Sequence, residues 1–291
     1  MPAGSQAFLR ELPPLAYLRD RLKKRRWFKK HLERARTADA FVVSHTKSGR
    51  TWLRVMLSHL YQQRYGIPES ELIAFDNFHA LAPVIPRVYF LRDTCVPSFW
   101  RGRPDVPIPR DRPTVFLVRD PRDVAISFWF HVRSRASDAE LSRKGIRAAE
   151  RDLPLFGFVM HPRLGVPRVI EHFNRWGMER QAMPKAIVVR YEDMRADPAR
   201  ELARVVELLG GGFDRTEIAA AVEFASFESL KEKERQGFFT SERMRPTEAS
   251  GEAAFKVRKG RVGGYRDHLE PDEAARLDAL VHETLDPAYG Y

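Results

Sequence analysis

Cysteine is almost absent from this chain of 291 residues, in which Cys95 is the only one. One cysteine cannot form an intramolecular disulfide, and it cannot supply a cysteine-rich zinc site either. Disulfides are rare in reducing compartments, so this composition fits a protein of the cytoplasm.

Long hydrophobic runs are missing too. No apolar stretch approaches the roughly 20 residues that a membrane-spanning helix needs. Residues 1–12 lack the apolar core of a secretion signal. We therefore expect a soluble, cytoplasmic protein.

Positive charge is concentrated in one segment. The net charge is +11, and residues 19–36 hold ten Lys and Arg with two acidic residues, which gives +8. Because the rest is close to neutral, we do not expect a dedicated nucleic-acid-binding protein. Trp27 and Phe28 lie among the bases, so the segment is either a helix on an anionic membrane surface or a solvated helix docked by its few apolar residues. We assign residues 1–36 to this basic N-terminal segment and residues 37–291 to a single domain.

Short apolar runs alternate with helical patterns along that domain. The runs 40–44, 87–91, 114–118 and 186–190 predict strands, and the patterns at 52–65, 121–133 and 167–178 predict the helices between them. This alternation predicts an α/β fold with a mostly parallel central sheet and helices on both faces. Further helices at 198–209, 216–224 and 272–285 form a helical C-terminal part. In such a sheet, ligands bind at the carboxyl ends of the strands.

The first predicted strand ends in a small, polar, basic turn, Ser44-His45-Thr46-Lys47-Ser48-Gly49-Arg50-Thr51-Trp52. The N–H groups and the dipole of the following helix attract an anion, and the turn adds a lysine and two hydroxyl side chains. The turn therefore predicts a loop that binds phosphate or sulfate. It differs from the Gly-x-x-x-x-Gly-Lys-Ser/Thr loop because its lysine precedes its glycine.

A second anion site is predicted where the third strand ends. Arg119 follows that strand, Asp120 suits the N-cap of the next helix, and Pro121 suits its first position. A guanidinium fixed at the mouth of a strand can hold a phosphate. The same residues also fit an ordinary capped helix with Arg122 and Asp123 as surface charges.

These two elements resemble the sulfotransferases that use 3′-phosphoadenosine 5′-phosphosulfate (PAPS). Lys-Ser-Gly-Arg-Thr-Trp is similar to the family's 5′-phosphosulfate loop, and Arg-Asp-Pro-Arg-Asp with a serine eight residues after its first arginine is similar to the 3′-phosphate element. The resemblance implies a P-loop-NTPase-like three-layer fold, PAPS as co-substrate, no metal, and in-line sulfuryl transfer to a hydroxyl or an amine. It implies that the 5′ end is held by Lys47, Ser48, Gly49, Arg50, Thr51 and Trp52. It also implies that Lys47 stabilises the leaving phosphate and that Arg119 and Ser127 bind the 3′-phosphate.

Three weaker matches follow in the order of the family. Tyr191-Glu192-Asp193 is similar to the segment whose tyrosine lies by the adenine end, Ser226-Phe227 to the segment that stacks on adenine, and Arg258-Lys259-Gly260 to the C-terminal loop that closes on the 3′-phosphate. The resemblance therefore implies further nucleotide-binding residues: Tyr191, Ser226, Phe227, Arg258, Lys259 and Gly260.

The histidine that many family members carry after the second strand, as catalytic base, is missing. The sequence there reads Phe90-Leu91-Arg92-Asp93-Thr94, and an arginine cannot act as a base at ordinary pH. Asp93 is one candidate base, provided that its surroundings raise its pKa. His79, in an upstream loop, is the second candidate, and His45 is the third.

The acceptor is not specified by the sequence. Residues 133–166 correspond to a variable lid with six arginines, at 133, 135, 143, 147, 151 and 163. They favour an anionic or polyhydroxylated acceptor, such as a carbohydrate or a glycolipid, unless Glu140, Glu150 and Asp152 pair with them. Two other functions stay open: a P-loop-like nucleotide kinase, and a degenerate protein that binds PAPS or its product 3′-phosphoadenosine 5′-phosphate (PAP) without turnover.

Overall fold

The computed structural model describes residues 26, 28–92, 108–241, 244 and 261–291, with only the backbone of Arg92 and Arg143. Four parallel strands form a central sheet: β1 (Ala40–Ser44), β2 (Val88–Arg92), β3 (Thr114–Val118) and β4 (Ala186–Arg190). Their spatial order is β2-β1-β3-β4. Three of the predicted strands are confirmed in both bounds, and β2 lies one residue later than predicted.

The register brings the carboxyl ends of the strands to one edge of the sheet. Ser44 pairs with Arg92 of β2 and with Leu117 of β3, and Val118 pairs with Arg190 of β4. Whatever follows these four strands therefore shares one rim.

Helices cover both faces of the sheet. In chain order they are α1 (28–37), α2 (Arg50–Tyr65), α3 (Asn77–Leu81), α4 (Pro121–Ser134), α5 (Asp138–Arg143), α6 (Ala148–Arg151), α7 (Leu155–Val159), α8 (Val166–Arg180), α9 (Tyr191–Ala196), α10 (Pro198–Leu208), α11 (Arg215–Phe224), α12 (Phe227–Arg235) and α13 (Pro271–Thr284). The six predicted helices are confirmed, each end within two residues. Strong local signals mark these ends: α2 stops at Gly66, whose φ of 64° is left-handed, and Asp214 caps α11.

Side chains of the strands alternate between two apolar layers. Val42 and Val115 pack on one face with helices α2, α10 and α11. Phe41 and Phe116 pack on the other face with Trp176 of α8. The sheet is thus buried on both sides, and the predicted three-layer α/β architecture is confirmed.

The helix α1 packs on this second layer. Ala35 is 1 % exposed and belongs to the same apolar cluster as Phe41, and Phe28 packs against that cluster. For residues 28–37 the structure therefore favours a docked helix. The division of the chain at residue 37 stays a prediction.

Candidate active site

The loop between β1 and α2 turns tightly into the helix. Lys47 has a φ of 68° and Gly49 a φ of 90°, both left-handed. The carbonyl of Gly49 accepts from the amides of Trp52 and Leu53 at 2.9 and 3.2 Å. No side chain caps the described first turn of α2, and no acidic residue lies in it. The positive end of the helix dipole is therefore available to an anion.

Arg50 and Thr51 are the first two residues of α2. The guanidinium of Arg50 donates to the hydroxyl of Ser44 at 3.3 Å, which ties the helix start to the end of β1. Ser48 is fully buried, and its Oγ has no hydrogen-bond partner among the described residues. A buried hydroxyl without a partner costs about 1–3 kcal/mol. An anion oxygen bound in this loop would accept the hydrogen bond of Ser48 and remove that cost.

Tyr191 packs directly against the loop. A Cβ atom at position 49 would lie 2.6 Å from Cδ2 of Tyr191, so only glycine leaves room for the ring. The ring also meets that of Trp52 edge to face, with centroids 5.9 Å apart. Burial raises the pKa of the Tyr191 phenol.

Arg119 connects the ends of β1 and β3. Its guanidinium donates to the carbonyl of Lys47 at 3.4 Å and to the carboxylate of Asp123 at 3.2 Å. Its carbon Cζ lies 4.4 Å from the centroid of the Tyr191 ring, and its buried Nε has no hydrogen-bond partner among the described residues. The two predicted anion sites therefore adjoin each other, with Tyr191 between them.

Asp123 is a buried hub and not a surface charge. It is 3 % exposed and accepts hydrogen bonds from the amides of Gly263 and Tyr265, both at 3.0 Å. Burial raises its pKa, and the charge of Arg119 acts in the opposite direction. The signal that could have indicated this pair is the spacing of four residues between Arg119 and Asp123. The half-buried Ser127 lies one turn further along α4.

Arg122 is not a surface charge either. It forms ion pairs with Asp120 at 2.7 Å and with Asp278 of α13 at 2.6 Å. The predicted cap is confirmed, since Asp120 accepts from the amide of Arg122 at 2.9 Å. The ion pairs of Arg122 with Asp120 and Asp278 thus hold the start of α4 in place, next to Arg119.

Arg258, Lys259 and Gly260 lie outside the described residues. The next residue, Arg261, lies at the site, because its carbonyl accepts a hydrogen bond from Arg119 at 3.2 Å. Together with the bonds to Asp123, this contact fixes the C-terminal side of the predicted closing loop.

The predicted adenine-stacking segment lies beside the anion loop. The indole of Trp52 donates to the carbonyl of Ala225 at 2.8 Å, across 173 residues of sequence. Ser226 caps α12 by accepting from the amide of Ser229, and the half-buried Phe227 is the first residue of that helix. A contact between residues so far apart has no local sequence signal.

The structure does not support His79 as the catalytic base. Its Nδ1 lies 2.8 Å from the carbonyl of Ile85. Burial opposes ionisation of Asp39, but the hydrogen bonds and charge of Arg87, with a smaller contribution from His79, leave the Asp39 pKa below its usual value. His79 is therefore close to Asp39, before the amino end of β1, whereas Lys47 follows the carboxyl end of that strand. The five residues of β1, about 16 Å long, separate the two ends.

His45 is a neutral core histidine. It is 1 % exposed, and burial lowers its pKa to about 3. Its ring packs edge to face with that of His172 at 5.5 Å, a position that does not favour it as a base. Asp93, the remaining candidate, lies outside the described residues.

The arginines of the lid are mostly paired. Glu150, which is 3 % exposed, binds Arg147 at 3.1 Å and Arg163 at 2.6 Å. Two further pairs are Arg151 with Asp138 and Arg135 with Glu234. The expectation of a positively charged lid for an anionic acceptor is therefore not supported, and the alternative of mutual pairing is favoured.

Two further findings concern the described residues alone. No three His, Cys, Asp or Glu side chains among them are arranged to hold a metal ion. No helix that they form has both the length and the apolar character needed to cross a bilayer.

Together, these features describe a P-loop-like α/β protein whose two predicted anion sites adjoin each other at neighbouring strand ends. The Sulfotransferase domain family matches residues 110–287. Cytosolic sulfotransferase 16 of Arabidopsis thaliana is 30 % identical, over 88 % of this chain and 78 % of the relative.

Two solved structures share the fold. Mouse sulfotransferase SULT7A1 complexed with PAP has a TM-score of 0.55 and 18 % identity, over 88 % of this chain and 89 % of the other. Retinol dehydratase in a complex with retinol and PAP has a TM-score of 0.58 and 16 % identity, over 85 % and 81 %. The chain belongs to the sulfotransferase domain family, as a PAPS-dependent enzyme of the cytosolic type. The alternative of a nucleotide kinase is not favoured.

Proposed function

We propose that this enzyme transfers the sulfuryl group of PAPS to a hydroxyl acceptor at the rim formed by β1 and β3. In this proposal the loop from Lys47 to Trp52 holds the 5′-phosphosulfate, and Arg119 with Ser127 holds the 3′-phosphate. The observation that carries it is the hydrogen bond from Arg119 to the Lys47 carbonyl. That bond links Arg119 to the loop of Lys47, so the two predicted anion sites adjoin each other, and PAPS is a nucleotide with anionic groups at two ends.

The residues present suit such a donor. The unsatisfied hydroxyl of Ser48 and the buried Nε of Arg119 lack partners among the described residues. Anion oxygens would satisfy both groups. Tyr191 packs against the loop at Gly49, and Ala225, which precedes the Ser226-Phe227 segment, accepts a hydrogen bond from Trp52. These contacts support the proposal that Tyr191, Ser226 and Phe227 bind the adenine end. Arg258, Lys259 and Gly260 are proposed to complete the 3′ side, since Arg261 already contacts Arg119.

Chemically, the protein needs to supply position and charge more than covalent help. The donor supplies the sulfuryl group and a phosphate leaving group. Lys47 is proposed to stabilise the charge that develops on that phosphate, and Arg50 and Thr51 to orient it. The start of α2 adds its dipole to the same end.

For the acceptor we propose a hydroxyl compound, with an amine as the alternative. The solved relative that holds retinol together with PAP supports a hydroxyl acceptor. A small molecule, a carbohydrate and a glycolipid all fit this chemistry, and the paired lid arginines add no preference for an anionic one. We also propose a single domain at residues 37–291 and a cytoplasmic location as in the relative named cytosolic. Of the two alternatives for residues 19–36, the docking of Phe28 and Ala35 supports a helix held on the domain over contact with an anionic membrane.

Calorimetry with PAP, 5′-AMP and ATP tests the nucleotide assignment. We expect PAP to bind most tightly, and Arg119→Ala to weaken PAP by roughly 2–5 kcal/mol while changing 5′-AMP far less. Arg122→Ala is the matched control, because both arginine side chains are 13 % exposed and ion-paired, but Arg122 faces α13. Equal affinities for PAP and 5′-AMP would refute the two-site arrangement.

Turnover of labelled PAPS against pools of phenols, sterols, amines and oligosaccharides tests the reaction. Lys47→Ala should lower turnover more than PAP affinity, because a charge on the leaving group acts in the transition state. A protein that binds PAP and transfers to no pool would be the degenerate binder.

A further inference from the structure

His131 lies on the same face of α4 as Ser127, which we propose to bind the 3′-phosphate. Asp123, Ser127 and His131 follow one another at spacings of four residues, so they form one row along the helix. His131 is the next position in that row beyond Ser127. Its side chain is 19 % exposed, so part of the ring reaches the protein surface.

A carboxylate orients the imidazole of His131. Its Nε2 lies 3.0 Å from Oε1 of Glu140 on α5. Glu140 also pairs with Lys144 at 2.7 Å. The second nitrogen, Nδ1, makes no hydrogen bond to any described residue. A carboxylate that accepts from one ring nitrogen fixes the tautomer in which the other nitrogen carries the free lone pair.

Lys47 lies close enough for its charge to act on this ring. Burial is the main cause that lowers the pKa of His131 to about 4, the hydrogen bond to Glu140 opposes it, and the charges of Lys47 and Lys144 lower it further. The imidazole is therefore neutral, and it lies within the electrostatic influence of the lysine that we propose to stabilise the leaving phosphate.

We infer that His131 is the general base that accepts the proton of the acceptor, with Glu140 as its positioning residue. This inference rests on the proposed sulfotransferase function. The acceptor oxygen forms a bond to sulfur while the bond between sulfur and the bridging phosphate oxygen breaks. The electron pair of that bond stays on the phosphate, beside Lys47. The proton of the acceptor hydroxyl moves to Nδ1 of His131, and the carboxylate of Glu140 stabilises the imidazolium. The row on α4 thus supplies the function of the histidine that is missing after β2.

Donor binding prepares this base. The phosphosulfate is negatively charged, so it offsets the charge of Lys47 that disfavours a protonated imidazole. The pKa of His131 therefore rises when the nucleotide binds, toward the range in which a general base is most effective.

Nitrogen-15 NMR of the histidine rings in the full chain tests the tautomer and the coupling without any acceptor. His131→Gln assigns the signal. We expect a neutral ring protonated at Nε2, and a rise of its pKa when PAP is added. A proton on Nδ1 of the neutral ring, or a pKa that PAP leaves unchanged, would overturn the inference.

Turnover of labelled PAPS with the acceptor pools tests the role itself. His131→Gln keeps a donor for Glu140 but has no basic nitrogen, so we expect turnover to fall on the order of 10²–10⁴ with PAP affinity unchanged. Glu140→Gln should lower turnover and shift its pH profile, because the tautomer is no longer fixed. The matched control is His161→Gln, a lid histidine of similar exposure that lies 3.7 Å from Glu150.

The outcomes separate this inference from the proposed function. A wild-type protein that binds no PAP refutes the function. A wild-type protein that transfers sulfuryl groups, with His131→Gln equally active, refutes only the role of His131. Retained PAP affinity in His131→Gln shows that the variant is folded.

Discussion

Replacing Gly49 by alanine perturbs the closest contact of the site. Gly49 has a φ of 90°, and an alanine in this left-handed conformation costs about 1–2 kcal/mol. Its Cβ atom would also lie 2.6 Å from Cδ2 of Tyr191, a ring held between Trp52 and Arg119. Overpacking of that kind costs about 1–3 kcal/mol. We therefore expect Gly49→Ala to lower the free energy of unfolding by roughly 2–5 kcal/mol.

Gly66→Ala isolates the backbone part of this cost. Gly66 has a φ of 64°, and a Cβ atom there would meet nothing within 4 Å. Urea unfolding of both variants should thus differ by the cost of displacing the ring, about 1–3 kcal/mol. In a Tyr191→Ala background that difference should vanish. If both variants cost the same in the wild-type background, the ring does not press on the loop and the arrangement described here is wrong.

Three other expectations concern single side chains. Trp52→Phe removes the hydrogen bond to Ala225, so the free energy of unfolding in urea should fall by about 1 kcal/mol. Calorimetry should also show weaker PAP binding. An unchanged PAP affinity would mean that the 225–227 segment is not part of the site. His45 is buried with a pKa of about 3, so below its unfolded pKa of 6.5 the unfolded chain binds a proton that the folded chain refuses. The contribution of His45 to stability should therefore drop as pH falls through that window, by about 2 kcal/mol between pH 6.5 and 5. His45→Gln should reduce the total drop by that share in urea titrations, and a drop should remain because burial also lowers the pKa of His131 and His172. His79→Ala should retain turnover of labelled PAPS, and a loss comparable to that of a general base, on the order of 10²–10⁴, would return His79 to the site.

Local signals account for what could be predicted. Strands such as 114–118 are apolar and bounded by turn residues, and Gly66 and Asp120 mark helix ends by their backbone preferences. The loop after β1 could be predicted because its residues are contiguous in the sequence. These features depend only on neighbours in the chain.

The remaining features depend on contacts between distant segments. Asp123 is a hub only because residues 261–265 return to it, and Trp52 meets Ala225 across most of the domain. The sequence leaves pairing of the lid arginines open, since a partner such as Glu234 for Arg135 lies in a different part of the chain. No local sequence pattern around His79 indicates at which edge of the sheet this residue lies.

The ring of Tyr191 packs against both Gly49 and the guanidinium of Arg119. A displacement of the loop therefore moves the ring, and the ring moves the guanidinium. Substitutions at the two proposed phosphate sites should not add, because each changes the surface against which the other is held. We therefore expect the two ends of the nucleotide to bind cooperatively, so that removing one phosphate costs more binding free energy than that phosphate's own contacts provide.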